Sequence, residues 1–261
     1  MTENHPVIFV GAGPGDPELI TVKGQKALAG ADLVLYAGSL VSPAVLGWAN
    51  PAAELIDTAK LNLKEICARI MAGNRAGRRV VRVHSGDPAL FGAIQEQLEV
   101  LEREDVPCLV IPGVSAAFAA AAALAQELTL PEVTQTVILT RAAGRTPVPE
   151  GEALHELARH GATLVIYLSI KLIDRVVAEL TPAYGPDTPV VVAYRVSWPD
   201  QRMLRGTLST IAGLVQASGI ERQALILVGP VLAARDGELK ARSKLYDQGF
   251  THGFRAGGGE E

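Results

Sequence analysis

Three loops rich in glycine, aspartate and proline contain the residue types best suited to hold a ligand. They are Gly11–Pro17, Ser85–Pro88 and Pro112–Ser115, and each directly follows an apolar run. The first loop invites a nucleotide-binding interpretation, because a glycine loop after a strand can wrap a phosphate. However, it lacks the third glycine of G-x-G-x-x-G, and Pro14 removes a backbone N–H that a pyrophosphate would need. We therefore expect these loops to hold a ligand other than a pyrophosphate.

Short apolar runs rich in β-branched residues predict the strands that would position these loops. Helical patterns alternate with them: one helix begins at Asn62, with Glu65 three residues on, and another follows Asp87-Pro88. This alternation predicts a largely parallel sheet with helices on its faces, in which the carboxyl strand ends form the ligand crevice. The predicted strands are Val7–Val10, Leu33–Tyr36, Leu55–Ile56, Val80–Val83 and Cys108–Ile111.

The second part of the chain has more predicted strands per helix, which indicates a mixed sheet. The alanine-rich segment Ser115–Leu128 predicts a helix that leads into it. We place the domain boundary near Gly113, giving an N-terminal α/β domain, 1–113, and a C-terminal α/β domain, 114–261, with a flexible tail from about 256. The predicted strands of the second domain are Val137–Leu139, Leu164–Leu168, Val190–Ala193, Met203–Arg205 and Leu225–Val228.

Composition limits the classes of partner and compartment. The chain has 261 residues and a net charge of −4, which makes nucleic acid a poor default partner. Cys67 and Cys108 have no metal-ligand spacing, so we expect buried, reduced thiols and no bound metal. The chain starts without a signal-peptide pattern, and the alanine-rich run is too short for a bilayer. These features predict a soluble cytoplasmic protein without a membrane partner.

Taken together, the three loops are similar to those of the class III tetrapyrrole methylases, which use S-adenosylmethionine. The motifs are Gly-Ala-Gly-Pro-Gly-Asp-Pro, Ser-Gly-Asp-Pro and Pro-Gly-Val-Ser-Ala, and the resemblance extends from Val7 to about Arg255. Within that family the chain resembles the subgroup that methylates precorrin-4, or its cobalt form, at C11. The subgroup motifs are Tyr36–Val41, Asp57–Ala59, His84–Pro88, Glu127–Glu132, Thr140-Arg141, Gly144–Pro147, Tyr194–Asp200 and Lys244–Asp247.

The resemblance implies two α/β domains with the cofactor and substrate cleft between them, and a homodimer. It implies C-methylation of precorrin-4 to precorrin-5 in cobalamin (vitamin B12) biosynthesis, with S-adenosyl-L-homocysteine as the second product. By motif position, the implied cofactor contacts are Pro14, Ser85, Gly86, Asp87, Leu90, Ser115, Ala116, Leu168, Ala193 and Val196. Family members often have methionine at the place of Leu168, and leucine keeps the apolar volume.

The implied reaction asks little of acid–base groups, because the ring carbon is already nucleophilic and the methyl group already electrophilic. Catalysis can then be mostly orientation in a dry cleft. Three candidates for a catalytic role remain, with alternatives left open. Asp16 either caps its loop or accepts from a substrate pyrrole, His84 is more readily a strand-end histidine bonded to a loop, and Tyr36 lies at the cleft or in the core.

The many carboxylates of the implied substrate require cationic partners. Arg141 and Arg145, in a loop after a predicted strand, are the first candidates, and Lys171 and Arg195 follow. Each of them alone is more often an ordinary solvated surface charge.

Other functions remain open on the sequence alone. Another ring position or substrate is possible within the family: precorrin-2 at C20, precorrin-3 at C17, or uroporphyrinogen III. A more distant relative with a similar first loop methylates a ribose of ribosomal RNA, which the acidic composition disfavours. A carrier that binds the tetrapyrrole or the cofactor without turnover is the non-enzymatic alternative. Whether the natural ring contains cobalt is also open.

Overall fold

The computed structural model describes residues 5–234, 243–256 and 258. The described chain forms two compact units, each built on a five-stranded sheet. The first unit comprises the residues up to Ala120 together with Arg195–Gln201, and the second comprises Ala121–Tyr194 and the residues from Arg202 onward. The predicted α/β architecture is confirmed. The domain limits 1–113 and 114–261 stay a prediction, since the compact units are defined by contacts and one of them is discontinuous in sequence.

The first unit contains a wholly parallel sheet with the strand order β3-β2-β4-β1-β5. Its central strands are continuous apolar runs because helices cover both faces. Its elements are β1 (Val7–Gly11), α1 (Val22–Ala29), β2 (Leu33–Tyr36), α2 (Pro43–Leu46), β3 (Glu54–Asp57), α3 (Leu63–Arg75), β4 (Val80–His84), α4 (Gln95–Arg103), β5 (Cys108–Ile111) and α5 (Ala116–Ala123).

Alternate residues of each strand enter different clusters, one on each face of this sheet. Phe9 and Leu35 pack with the α3 residue Ile70 on one face, and Val10 and Val34 pack on the other. The start of α3 is as predicted, because the Asn62 side chain accepts from the Glu65 N–H while the Glu65 carboxylate accepts from the Asn62 N–H. This capping box fixes the helix that covers the first face.

The second unit contains the mixed sheet that the sequence predicts, with the order β6-β7-β10-β8-β9. Strands β6 and β7 are parallel, and the other neighbouring pairs are antiparallel. Its elements are β6 (Val137–Arg141), α6 (Leu154–Ala158), β7 (Thr163–Tyr167), α7 (Ile173–Tyr184), β8 (Pro189–Tyr194), β9 (Arg202–Thr207), α8 (Ile211–Ser218) and β10 (Ala224–Val228).

Three predictions about local structure were wrong, each because of a backbone conformation that the pattern does not reveal. The helix expected after Asp87-Pro88 begins only at Gln95, since Phe91 and Ala93 adopt left-handed backbone angles, with φ of 55° and 47°. The alanine-rich helix ends at Ala123, shortly before Ala125 with φ of 48°. Strand β7 ends at Tyr167, and Leu168 turns out of it with φ of 56°.

The two cysteines lie in different environments. Cys67 is buried, as predicted, whereas Cys108 is exposed and that prediction was wrong. The reason is topological, because β5 is an edge strand, and an edge strand has a partner on one side only.

No helix within the described residues is both long and apolar enough to cross a bilayer. The predicted flexibility of the tail concerns residues that lie mostly outside the described part of the chain.

Candidate functional site

The three glycine-rich loops meet at one edge of the first sheet. They follow β1, β4 and β5, which are neighbours in the order β4-β1-β5, and parallel strands bring their carboxyl ends to the same side. Gly13 and Gly86 form an antiparallel bridge, with N–H to O distances of 3.2 and 2.8 Å. Both glycines have left-handed φ angles, 75° and 63°. The bridge therefore needs glycine at both positions.

The third loop packs against the first two without side chains between them. A Cβ on Gly113 would overlap the Gly86 carbonyl oxygen, and a Cβ on Gly11 would lie 2.6 Å from the Gly113 Cα. The glycines thus allow backbone to approach backbone. This arrangement explains the glycine content of the first loop without a phosphate.

The Asp87 carboxylate ties the second loop to the third. One oxygen accepts the Ala89 N–H at 2.8 Å, and the other accepts the Gly113 N–H at 2.9 Å. The pair of contacts fixes the turn after β4 and the position of the third loop relative to it. Ser115 is buried near the start of α5, and its hydroxyl accepts the Ala117 N–H at 3.3 Å.

Asp16 caps the short 3-10 turn Pro17–Leu19 that ends the first loop. Its Oδ1 accepts the Glu18 N–H at 2.9 Å, and its own N–H donates to the Ser197 hydroxyl at 3.0 Å. The loop-holding role of Asp16 is therefore visible in the geometry. A contact with substrate stays a prediction.

The segment Arg195–Gln201 clasps the first loop within the first unit. The indole N–H of Trp198 donates to the Pro14 carbonyl at 2.8 Å, and a Cβ on Gly15 would overlap the indole ring. The Arg195 guanidinium lies over the same ring, 4.0 Å from its centroid, and pairs with Asp200. Trp198 therefore anchors the first loop.

His84 is the last residue of β4 and is buried, with 6% of its surface exposed. Its ring stacks on Phe9 with a centroid distance of 5.9 Å, and it hydrogen-bonds to the Gly92 backbone. Burial lowers the pKa of His84 to about 3, and the nearby Arg82 cation acts in the same direction. The imidazole is therefore neutral at physiological pH, and its Nε2 has no hydrogen-bond partner among the described residues. Tyr36 is half-buried and packs against the core on the opposite face of the sheet.

The remaining cofactor candidates lie in three different settings. Leu168 is 74% exposed at the end of β7, an unusual exposure for a large apolar side chain. Ala193 is buried in β8, opposite Leu225 and Met203. Val196 is buried in the Arg195–Gln201 segment of the first unit, Leu90 follows the second loop by two residues, and Ala116 is the first residue of α5.

Three of the four proposed carboxylate-binding cations already have partners. The Arg141 guanidinium donates to the Thr146 and Pro147 carbonyls at 3.1 and 2.6 Å, so it holds its own loop. Lys171 pairs with Glu221 at 3.1 Å, and Arg195 pairs with Asp200. Arg145 is exposed, and no described residue forms an ion pair with it.

Sequence reasoning missed a buried polar network under the second loop. Arg82 is 5% exposed, and its guanidinium donates to the Gln97 and Thr58 side chains at 3.2 and 3.0 Å. The one available signal was an arginine inside the apolar run of β4, Val-Val-Arg-Val-His. Among the described residues, no group of three histidine, cysteine or acidic side chains could hold a metal ion.

Comparisons with known proteins identify the family of this chain. The family model described as Tetrapyrrole (Corrin/Porphyrin) Methylases matches residues 6–212. The chain is 50% identical to the cobalt-precorrin-4 C(11)-methyltransferase of Methanocaldococcus jannaschii, over 98% of both chains. It is 51% identical to the precorrin-4 C(11)-methyltransferase of Pseudomonas aeruginosa, over 96% of this chain and 99% of the relative.

Solved structures extend the likeness to the fold. The X-ray structure of a cobalt precorrin-4 methyltransferase superposes with a TM-score of 0.85 and 50% identity, covering 87% of this chain and 95% of that one. A uroporphyrin-III C-methyl transferase from Thermus thermophilus, complexed with S-adenyl homocysteine, has a TM-score of 0.72 and 30% identity, covering 87% and 93%. The chain belongs to the tetrapyrrole (corrin/porphyrin) methylase family.

Proposed function

We propose that this protein methylates a precorrin-4-type ring at C11, giving precorrin-5 in cobalamin biosynthesis, with S-adenosyl-L-methionine as the methyl donor. The observation that carries the proposal is the sequence identity, 50% and 51% along nearly the full chain, to two relatives that are named for methylation at C11. One of them is named for a cobalt-containing ring and the other is not, so the proposed substrate class includes both forms.

The loops of the first unit fit the proposed cofactor. A Cβ placed on Gly86 would make ordinary contact, at 3.9–4.0 Å, with the backbone of Ser115, Ala116 and Val114, so the bare glycine leaves a cradle there. Exposed loop amides and carbonyls suit an amino-acid moiety, and exposed apolar residues suit an adenine ring. The proposed contacts are Pro14, Ser85, Gly86, Asp87, Leu90, Ser115, Ala116, Leu168, Ala193 and Val196.

When bound, the cofactor supplies an electrophilic methyl group on a sulfonium. The residues of this chain then have to orient two reactants and exclude water. Neutral His84 holds the loop after β4, and Asp87 joins that loop to Gly113. We infer that Asp16 also accepts from a substrate pyrrole through its second carboxylate oxygen, and that Tyr36 serves the core.

The carboxylates of the ring require cations that can leave their present partners. Arg145 needs to break no ion pair, so we propose it as the first contact. Arg141, Lys171 and Arg195 are proposed as further contacts that would exchange a carbonyl or a carboxylate of this chain for one of the substrate. We further propose a cytoplasmic homodimer without nucleic-acid or membrane partners.

Methyl transfer from labelled cofactor to purified tetrapyrrole tests the proposal. We expect label in the ring, a mass increase of one methyl group, and an NMR signal that places the methyl at C11. A methyl at C20 or C17, or transfer only to uroporphyrinogen III, would contradict the proposed ring position or substrate but would still support methyl transfer to a tetrapyrrole. A further contrary result is a protein that folds and binds S-adenosylhomocysteine but transfers no label in a single turnover. That result would refute the enzymatic function and favour a carrier.

A further inference from the structure

The segment Pro88–Ala93 has a backbone that its residue types do not favour. Phe91 and Ala93 have φ angles of 55° and 47°, although neither is glycine. A Cβ on Gly92 would overlap the Pro88 carbonyl oxygen, which shows how sharply the chain turns. Left-handed conformations of such residues persist only where the surroundings impose them. The segment therefore needs anchors.

Two buried side chains provide those anchors. The amide nitrogen of Gln97 donates to the Ala93 carbonyl at 3.0 Å, and His84 hydrogen-bonds to the Gly92 backbone. Gln97 is itself fixed, because its side-chain oxygen accepts from the Arg82 Nε at 3.2 Å. Arg82 in turn donates to Thr58, whose hydroxyl donates to the Tyr36 carbonyl.

The charge of Arg82 makes this arrangement unusual. Arg82 and Gln97 are 5% and 4% exposed, and among the described residues no carboxylate pairs with the guanidinium. A buried cation without a counter-ion is costly, and burial lowers the pKa of Arg82 to about 10. One of its neutral partners, Gln97, leads to the segment after Pro88, and the other, Thr58, leads to Tyr36. The buried guanidinium therefore fixes one orientation of the Gln97 amide, at a cost in desolvation free energy.

We propose that Gln97, held by Arg82, is a positioning residue that fixes the backbone of 91–93, with its left-handed Phe91 and Ala93, and thereby the shape of the second loop, Ser85–Pro88. This role rests on the proposed function, since Ser85, Gly86, Asp87 and Leu90 are its proposed cofactor contacts. Gln97 itself touches no ligand in this scheme. It acts through the Ala93 carbonyl and the backbone that leads back to Leu90.

Gln97→Glu separates the two bonds of this side chain. The carboxylate still accepts from Arg82 and now neutralises it, so thermal stability should equal or exceed that of the wild type. It has no N–H for the Ala93 carbonyl, so amide hydrogen exchange in 89–94 should accelerate. We expect at least about fivefold weaker binding of S-adenosylhomocysteine by calorimetry, the loss of one hydrogen bond. The cofactor KM should rise while kcat changes less than about twofold.

The chain offers a matched control and a rescue. Gln95→Glu makes the same change at an exposed position of α4 and should leave exchange and affinity unchanged. Ala93→Gly allows the left-handed angle without strain, so in that background Gln97→Glu should cost less than about twofold in affinity. Should Gln97→Glu not fold, Gln97→Met, of similar volume, removes the bond to Ala93 together with the bond from Arg82, and the same exchange measurement applies.

The two readouts separate this role from the proposed function. Unchanged exchange in 89–94 for a folded Gln97 variant would overturn the positioning role, whatever the wild type binds. Faster exchange with unchanged affinity would overturn the link to the cofactor. If the wild type transfers no methyl group but binds S-adenosylhomocysteine, the proposed reaction fails while both readouts still decide the role of Gln97.

Discussion

Asp87 and Asp16 each direct a carboxylate oxygen at the backbone of a nearby residue. Asp87 accepts from Ala89 and Gly113, and Asp16 accepts from Glu18. These acids shape the loops in which they lie, in addition to the direct ligand contacts proposed for them. Such local contacts are partly readable from sequence, because Asp before Pro often caps a turn. The contact of Asp87 with Gly113, 26 residues away, is not readable without the strand order.

Asp87→Ala should weaken binding of S-adenosylhomocysteine. It removes two hydrogen bonds to a charged group, each worth about 1.5–3 kcal/mol, so we expect at least a tenfold loss by calorimetry. Asp187→Ala makes the same change at an exposed position, is the control and should have no effect. Unchanged affinity in folded Asp87→Ala would remove this carboxylate from the site.

The low pKa of His84 makes stability depend on pH. In the unfolded chain a histidine titrates near 6.5, whereas in the folded protein the pKa of His84 is about 3. Between these values the unfolded state binds more protons, so stability is fully present above pH 6.5 and is lost as pH falls toward 3. The slope attributable to His84 is about 1.4 kcal/mol per pH unit.

Urea unfolding at pH 7.0, 6.0 and 5.0 measures this contribution. His84→Gln should flatten the decline in the free energy of unfolding, and His160→Gln, at an exposed position, should not. An identical slope in wild type and His84→Gln would mean that folding leaves the pKa of His84 unchanged.

At the scale of elements, the loops after β1, β4 and β5 meet because these strands are parallel neighbours. The sequence predicted those strands, the mixed second sheet and the capped start of α3, since each depends on local pattern. It failed where tertiary structure decides. Cys108 is exposed because β5 lies at an edge, and the helix after Pro88 is delayed because Phe91 and Ala93 are held in left-handed conformations. The Arg82–Gln97 contact joins a strand to a helix and has no local signature.

Gly15→Ala should disturb the clasp between the first loop and Trp198. The added methyl group would overlap the indole ring, and overpacking of this kind costs about 1–3 kcal/mol of unfolding free energy. Gly213→Ala in α8 meets open space and should instead stabilise by about 0.5–1 kcal/mol. Thermal unfolding of both variants measures this pair of opposite effects. A stabilised Gly15→Ala protein would show that Trp198 does not hold the loop.

At the scale of the whole molecule, the first unit is not a continuous stretch of sequence. It is completed by Arg195–Gln201, which leaves the second unit at the end of β8 and returns to it at the start of β9. Ser197 and Trp198 reach the first loop from this segment. A boundary drawn at one point of the chain therefore cannot describe both units.

Replacing 195–201 with an Asn-Gly turn should affect the two units differently. Tyr194 and Arg202 are paired, so a two-residue turn can close the β8–β9 hairpin. We expect faster amide exchange in 11–19, because the first loop loses its clasp, and unchanged exchange in β10. The control is the unmodified chain under identical conditions. Equal exchange in 11–19 would show that the first loop holds its shape alone.

The discontinuity of the first unit also sets an order of events during synthesis. All five strands of its sheet have been made by Ile111, yet the residues that clasp Pro14 and Asp16 follow some eighty positions later. At roughly 5–20 residues per second, the ribosome needs on the order of 4–16 s to supply them. During that interval the nascent sheet exists with its first loop unclasped. The end of the first unit where we propose that the cofactor binds is thus finished late, when most of the second unit's sheet has already been translated.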